Sequence, residues 1–242
     1  MRVTIIGCGA IGGWLAAGFA SGGAEVAVLA RSAAERVSCL AASDDPAALP
    51  PPDLLVLGLK GHDLPAALPA IRALLAPGTV VLSAQNGVPW FFLQGFGGPL
   101  QGTALDSVDP GGALAASLPA SRVLAAVVHA AASLEAPGVV RLAKADRLPL
   151  GYPGGGNAAL LAETVAVLRD GGVPAEPSAA IPQEIWRKLW GNSNMNPLSA
   201  LCRATLSDML DEPGVRGLAE AMMAEMDGLG QRIGLGRAGG WR

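Results

Sequence analysis

Short apolar runs alternate with alanine- and leucine-rich segments along most of the chain. The runs that predict β-strands are residues 3–6, 25–29, 54–59, 80–83 and 123–128. Helices are predicted at residues 14–21 and 64–75, the second ending before Pro77-Gly78. Strands that alternate with helices are typical of an α/β sheet, whose strands are parallel wherever a helix intervenes.

The pattern changes character twice towards the C-terminus. From about residue 113 it loosens, with candidate strands at 133–142, 148–151 and 173–176 and a helix at 157–169. A proline-flanked joint at 177–182 follows, and the patterns after it are helical, at 183–201, 206–210 and 213–233. We therefore expect an α/β domain over residues 1–178, with a boundary near Ser178, and a helical domain over residues 179–242. Residues 41–52, rich in alanine and proline, are predicted to be a connecting loop with a little helix.

Composition narrows the class of protein. The chain has 242 residues, of which 51% are hydrophobic and 15% charged, a balance that excludes an intrinsically disordered protein. Its length suits about one and a half to two domains. The 17 basic residues are outnumbered by 20 acidic ones and form no basic run, so a nucleic-acid surface is excluded and small molecules are the expected partners.

Neither export nor membrane insertion fits the N-terminal segment. Residues 3–24 carry no charge, but glycines interrupt them and alanine supplies much of the rest, unlike a membrane-spanning helix. Residues 5–8 resemble a lipoprotein signal, yet the apolar run before Cys8 is too short for a signal core. The three cysteines make an odd count without metal-binding spacing, which fits reduced thiols. We expect a cytoplasmic protein.

A G-x-G-x-x-G motif follows the first predicted strand. It consists of Gly7, Cys8, Gly9, Ala10, Ile11 and Gly12. In this context Gly7 can make the tight turn, Gly9 can let a pyrophosphate approach the backbone, and Gly12 can let the next helix pack close to the strand. The helix N-terminus supplies N–H groups and the positive end of the helix dipole. The motif predicts dinucleotide binding; the alternative, in a chain with 33 glycines, is a glycine-rich turn in a core.

The end of the second predicted strand indicates which dinucleotide binds. An acidic residue there would accept hydrogen bonds from the ribose 2′-hydroxyl of NAD. The sequence instead has Ala30-Arg31-Ser32. A guanidinium beside a small hydroxyl suits a 2′-phosphate, which a carboxylate would repel. Arg31 therefore favours NADP(H) over NAD(H); the alternative is an ordinary solvated arginine.

Two further polar residues follow predicted strands. Lys60 comes after residues 54–59, and Asn86 comes after residues 80–83. In an open α/β sheet, ligands bind at the carboxyl ends of the strands, so both are candidate ligand-binding residues. Asn86-Gly87 is equally a common turn dipeptide.

The predicted helix at 183–201 carries a second constellation. Lys188, Asn192 and Asn196 recur at intervals of four, which places them on one face of a continuous helix. A lysine can donate a proton to a developing alkoxide, while asparagine amides can bind carboxylate and hydroxyl oxygens. This chemistry suits reduction of a small carbonyl substrate that carries an anion. The alternative is a frayed polar helix end that Pro197 breaks.

No acidic or histidine cluster implies a metal, and neither His62 nor His129 has a nucleophile partner in the sequence.

With these features the chain resembles the ketopantoate reductase (2-dehydropantoate 2-reductase) family. The resemblance runs from Met1 to about Gly230 and rests on residues 7–12, 85–87 and 186–201. It implies a Rossmann-type doubly wound sheet followed by an all-helical domain of the 6-phosphogluconate-dehydrogenase type. It also implies NADPH-dependent reduction of 2-dehydropantoate, or a similar 2-keto acid, in pantothenate biosynthesis.

The resemblance also implies roles for individual residues. Lys188 corresponds to the general acid, and Asn86 to a residue that lies between substrate and nicotinamide. The implied substrate contacts are Asn86, Asn192 and Asn196. The implied cofactor contacts, beside the glycine motif, are Arg31, Lys60, Asn86 and a backbone group of Ala131.

The C-terminal end departs from the family pattern. Family members continue through further helices that carry a substrate-binding serine and a cofactor-contacting glutamate, whereas residues 234–242 are glycine-rich. We therefore expect the helical domain to be truncated. The remaining alternatives are an NADP(H)-binding protein without turnover and another enzyme of the β-hydroxyacid dehydrogenase type. A homodimer is a possible assembly.

Overall fold

The computed structural model describes residues 1–30, 41–95 and 97–235. Its strands are β1 (Arg2–Ile6), β2 (Glu25–Leu29), β3 (Ala41–Ser43), β4 (Leu54–Leu57), β5 (Val80–Ser83), β6 (Val123–Ala126), β7 (His129–Ala136), β8 (Val139–Gly151) and β9 (Ala175–Pro177). Its α-helices are α1 (Ala10–Ser21), α2 (Leu64–Leu74), α3 (Ala113–Ser117), α4 (Ala158–Asp170), α5 (Ile181–Cys202), α6 (Leu206–Asp211) and α7 (Pro213–Arg232).

The strands form a sheet of doubly wound type. Strands β3, β2, β1, β4, β5 and β6 lie side by side in that order, and every neighbouring pair among them is parallel. Strand β8 then pairs antiparallel with β6, and β9 runs parallel to the end of β8. This arrangement confirms the predicted Rossmann-type α/β fold.

Both faces of the sheet are covered, which explains the nearly continuous apolar strands. In β1, Val3 and Ile5 join one core together with buried residues of α1 and α4. Ile6 joins a second core on the opposite face, with residues of α2 and α3. Because successive side chains of a strand point to opposite faces, a strand buried on both sides favours apolar residues at nearly every position, and Thr4 is the one buried polar residue of β1.

The helical segment begins against the second of these cores. Ile181, Ile185 and Trp186, in the first turns of α5, are buried there. The later part of α5 packs with α6 and α7 around a small cluster of Leu198, Met209 and Ala219. A helical C-terminal domain is thereby confirmed, while the boundary near Ser178 stays a prediction.

Two predicted elements were wrong. Residues 133–142 do not form one strand, because Pro137 and Gly138 turn the chain between β7 and β8, and Gly138 takes a φ of +76°. A left-handed backbone conformation of this kind favours glycine. The loop predicted at 41–52 contains not only a short 3₁₀ turn but also β3, a three-residue strand with no fully buried side chain and therefore a weak apolar signal.

Candidate active site

The glycine motif forms the turn between β1 and α1, and its glycines are needed for different reasons. Gly7 has a φ of +88°, and a Cβ on Gly12 would lie 2.0 Å from the Gly7 carbonyl oxygen. Gly12 therefore permits the close approach of α1 to the turn. A Cβ on Gly9 would meet nothing within 4 Å, so the space beside Gly9 is open.

Helix α1 starts within the motif rather than at residue 14, which brings its N-terminus to this open space. Gly9 is the residue before the helix and has no side chain to cap the N–H groups of the first turn. Cys8 is buried, and Ala10 and Ile11 are half-buried. Uncapped N–H groups at a helix N-terminus suit a phosphate oxygen. Arg31, the predicted 2′-phosphate contact, lies outside the described residues.

The carboxyl ends of β4 and β5 are tied together by Gln85. The Gln85 side-chain amide donates a hydrogen bond of 2.9 Å to the carbonyl of Leu57, and the Ser83 hydroxyl donates to the Gln85 side-chain oxygen. Asn86 follows directly and is exposed. The tie fixes the turn that presents Asn86, a role the sequence did not reveal.

Helix α5 is continuous from Ile181 to Cys202, with Pro197 inside it. The expectation that Lys188, Asn192 and Asn196 share one helical face is therefore confirmed, and the alternative of a helix end broken at Pro197 is wrong.

Lys188 reaches back to the sheet, where its ammonium donates a hydrogen bond to the carbonyl of Val128, just beyond β6. Burial lowers the pKa of Lys188 from 10.5 to about 8, because water no longer stabilises the charged form fully.

A pocket between the end of β5, the end of β6 and α5 brings three of the predicted residues together. Lys188, Asn86 and Asn192 line it, and its apolar wall includes Val127 and Ile185. Neither asparagine side chain makes a hydrogen bond to another described residue, so both amides are available to a ligand. A proton donor and two amides beside an apolar wall are the groups that binding and protonating a small carbonyl compound require.

Other predicted residues lie apart from this pocket. Asn196 is one helical turn further along α5 and is exposed. Lys60 is exposed at the end of β4, before a short 3₁₀ turn. Ala131 is exposed on β7. None of the three lines the pocket.

His129 lies at the start of β7, directly after Val128, whose carbonyl accepts the hydrogen bond from Lys188. Its Nε2 atom is buried and has no hydrogen-bond partner within the described part of the chain. Burial, followed by the nearby charges of Lys188 and Arg147, lowers the pKa of His129. The imidazole is therefore neutral at neutral pH. No partner for His129 could be predicted from the sequence, because its charged neighbours come from β8 and α5.

The described ranges contain neither a metal-binding cluster nor a membrane-spanning helix. No group of three or more histidine, cysteine or acidic side chains there could hold a metal ion. No helix there is sufficiently long and apolar to cross a membrane.

Two sequence profiles of one family match the chain on either side of the sheet's later strands. The profile of ketopantoate reductase PanE/ApbA matches residues 3–90, and that of its C-terminal domain matches residues 180–236. The chain belongs to the ketopantoate reductase family. A relative from Mesorhizobium japonicum named 2-dehydropantoate 2-reductase is 38% identical over 97% of this chain and 77% of its own length. One of the same name from Halobacterium salinarum is 26% identical over 95% of this chain and 77% of its own length.

Solved structures agree with this family assignment. A crystal structure from Ralstonia solanacearum MolK2, provisionally named a ketopantoate reductase, superposes with a TM-score of 0.91 at 40% identity, over 96% of this chain and 77% of that one. D-mandelate dehydrogenase in complex with NADH superposes with a TM-score of 0.74 at 20% identity, over 96% of this chain and 73% of that one. At such low identity that resemblance concerns the fold alone.

Proposed function

We propose that this ketopantoate reductase family member reduces 2-dehydropantoate, or a similar small 2-keto acid, to the 2-hydroxy acid with NADPH. In the cytoplasm this step would serve pantothenate biosynthesis. The observation that carries the proposal is the pocket that half-buried Lys188 lines together with Asn86 and Asn192, whose amides make no hydrogen bond to another described residue. The names of the relatives support the choice of substrate.

The glycine turn fits the cofactor. The open space beside Gly9 would accept the pyrophosphate, because any side chain there would project into it. The N–H groups of α1 would bind phosphate oxygens, with Cys8, Ala10 and Ile11 contributing backbone. Arg31 is proposed for the 2′-phosphate, Lys60 for a phosphate of the cofactor and Ala131 for a backbone contact. NADPH, when bound, supplies the hydride that reduces the keto carbon.

Lys188 is proposed as the general acid. With a pKa of about 8 it is mostly protonated at pH 7, yet it releases its proton more readily than an exposed lysine. The Val128 carbonyl holds the ammonium at the pocket until the substrate oxygen takes its place. Asn86 and Asn192 would bind the carboxylate or hydroxyl of the substrate, and Asn196 would complete the site from the next turn of α5.

The direct test follows absorbance of reduced nicotinamide when the protein is mixed with NADPH and ketopantoate, beside a thermal-shift titration with NADPH. We expect ketopantoate-dependent oxidation, abolished in Lys188→Ala and retained in the control Lys144→Ala, whose side chain is 70% exposed. Stabilisation by NADPH without oxidation would contradict the enzyme assignment and favour a binding protein. Normal turnover in Lys188→Ala would contradict the role of the lysine.

Cofactor choice has its own test. Replacing Arg31 with alanine should weaken NADPH binding by about tenfold or more and leave NADH almost unaffected, because only NADPH carries the 2′-phosphate. Equal losses for the two cofactors, measured by fluorescence titration, would remove Arg31 from the 2′-phosphate site.

A further inference from the structure

Arg147, on β8, contacts two carboxylates from different elements. Its Nε atom donates a hydrogen bond of 2.6 Å to Glu176 of β9. Its two terminal nitrogens donate to both oxygens of Glu184 of α5, at 3.0 and 3.2 Å. A two-pronged contact between guanidinium and carboxylate fixes orientation as well as distance, which a single ammonium contact does not.

The two carboxylates lie on either side of the proline-flanked joint at 177–182. Glu176 belongs to the last strand, and Glu184 to the first turn of the helix that carries Lys188. Arg147 therefore bridges the joint. The Glu184 side chain is only 12% exposed, so this contact is shielded from water.

The bridge lies close to the reactive lysine. Glu184 is four residues before Lys188, which puts the two one turn apart along α5. On the sheet side, Arg147 pairs with His129, the residue after the Val128 carbonyl that Lys188 contacts. Arg147 thus contacts the helix that carries Lys188, through Glu184, and pairs in the sheet with the residue that follows Val128.

From this geometry we infer that Arg147 is a positioning residue for the proposed reduction: it holds the first turns of α5 against the sheet, so that Lys188 stays inside the pocket. The inference rests on the proposed function for its catalytic consequence. Its structural half, the placement of Lys188, does not depend on the substrate. A reacting group displaced by about 1 Å can lose on the order of 100-fold in rate.

The chain contains a matched control for this bridge. Arg187 also contacts Glu184, at 3.3 Å, but it belongs to α5 itself and its side chain is 54% exposed. Weakening that contact disturbs the same carboxylate without releasing the helix from the sheet. Arg147→Lys and Arg187→Lys both keep the charge and differ in whether the bridge across the joint is altered.

The kinetic test compares these two variants with the wild-type enzyme. For Arg147→Lys we expect kcat with ketopantoate to fall by about tenfold or more, with NADPH affinity and far-ultraviolet circular dichroism unchanged. Arg187→Lys should keep kcat within about twofold. Equal losses in both variants, or unchanged kcat in Arg147→Lys, would overturn the inference.

A second test needs no turnover. The chain has three lysines, Lys60, Lys144 and Lys188, so competitive acetylation at a series of pH values, read by peptide mass spectrometry, yields the pKa of each. Glu184→Gln breaks the charged bridge without adding a lysine. Loss of the nearby anion alone would lower the pKa of Lys188, whereas release of Lys188 towards water would raise it.

We expect the pKa of Lys188 in Glu184→Gln to rise from about 8 towards the ordinary lysine value of 10.5. A lower or unchanged value would overturn the positioning role. If the wild-type protein does not reduce ketopantoate, the proposed function fails. The labelling result still shows whether Arg147 and Glu184 keep Lys188 inside the pocket. If Arg147→Lys does not fold, Glu184→Gln provides both measurements.

Discussion

At the scale of single residues, the protonation of Lys188 sets the expected pH dependence. Its pKa is lowered to about 8 by burial, and a general acid must be protonated to act. Turnover should therefore be retained below pH 8 and decline as pH rises through that value. The measurement is kcat for ketopantoate reduction between pH 6 and 10 at saturating NADPH. A rate that stays constant up to pH 10 would assign the proton to another donor.

The same burial makes Lys188 a cost to stability. The folded state holds this proton less tightly than the unfolded chain, in which the lysine keeps a pKa near 10.5. The contribution of Lys188 to the free energy of unfolding therefore increases as the pH rises from about 8 to 10.5, and it is lowest below pH 8. Lys188→Met, which removes the buried charge, should raise the Tm at pH 7 while abolishing turnover.

Differential scanning calorimetry at pH 7 checks this expectation, with Lys144→Met as the control for an exposed lysine. The gain should shrink at pH 10, where the wild-type lysine is largely neutral in the folded protein. A Tm of Lys188→Met below that of the wild type would mean that the contact with the Val128 carbonyl outweighs the cost of burial.

At the scale of elements, the turn between β1 and α1 separates folding from binding. Gly9→Ala places a methyl group where no atom lies within 4 Å, so the protein should fold normally and lose affinity for NADPH. Gly12→Ala places one 2.0 Å from a backbone oxygen, so α1 must shift and the folded state should be destabilised by about 1–3 kcal/mol.

Urea unfolding and NADPH titration of both variants distinguish the two effects. The two glycines would lose their distinct assignments if Gly9→Ala bound NADPH as the wild type does. The same holds if Gly12→Ala unfolded at the wild-type urea concentration.

The elements that the sequence predicted well are those whose signal is local. The first strand, the glycine motif and α1 lie within some twenty residues, and the spacing of Lys188, Asn192 and Asn196 needs only the helical period. Strand β3 was missed because its side chains are partly exposed, and the β7–β8 hairpin was missed because apolar residues continue on both sides of its turn.

The contacts that were missed join residues distant in the chain. Arg147 lies 37 residues from Glu184, and Gln85 lies 28 from the Leu57 carbonyl it binds. No spacing rule links such pairs, because only the order of strands in the sheet brings them together. The pocket itself could be predicted in part, since Asn86 ends a strand and Lys188 lies on a helix face, but which asparagines line it could not.

At the scale of the whole molecule, the C-terminal helices leave apolar side chains uncovered. Leu206 and Leu218 are each 52% exposed, and Leu201 is 81% exposed. Apolar side chains that stay exposed on a protein surface favour association. We propose that these exposed leucines form the contact between the subunits of a homodimer.

We therefore expect light scattering coupled to gel filtration to give twice the chain mass of 24.3 kDa. Leu218→Glu should shift the protein to the monomer, because a dimer would have to bury the new carboxylate away from water. Glu135→Leu, on the β7 strand far from these helices in sequence, serves as the control and should leave the mass unchanged. A monomeric wild type at concentrations up to about 100 μM, well above the Kd of a stable dimer, would contradict the homodimer and leave the leucines as ordinary exposed residues.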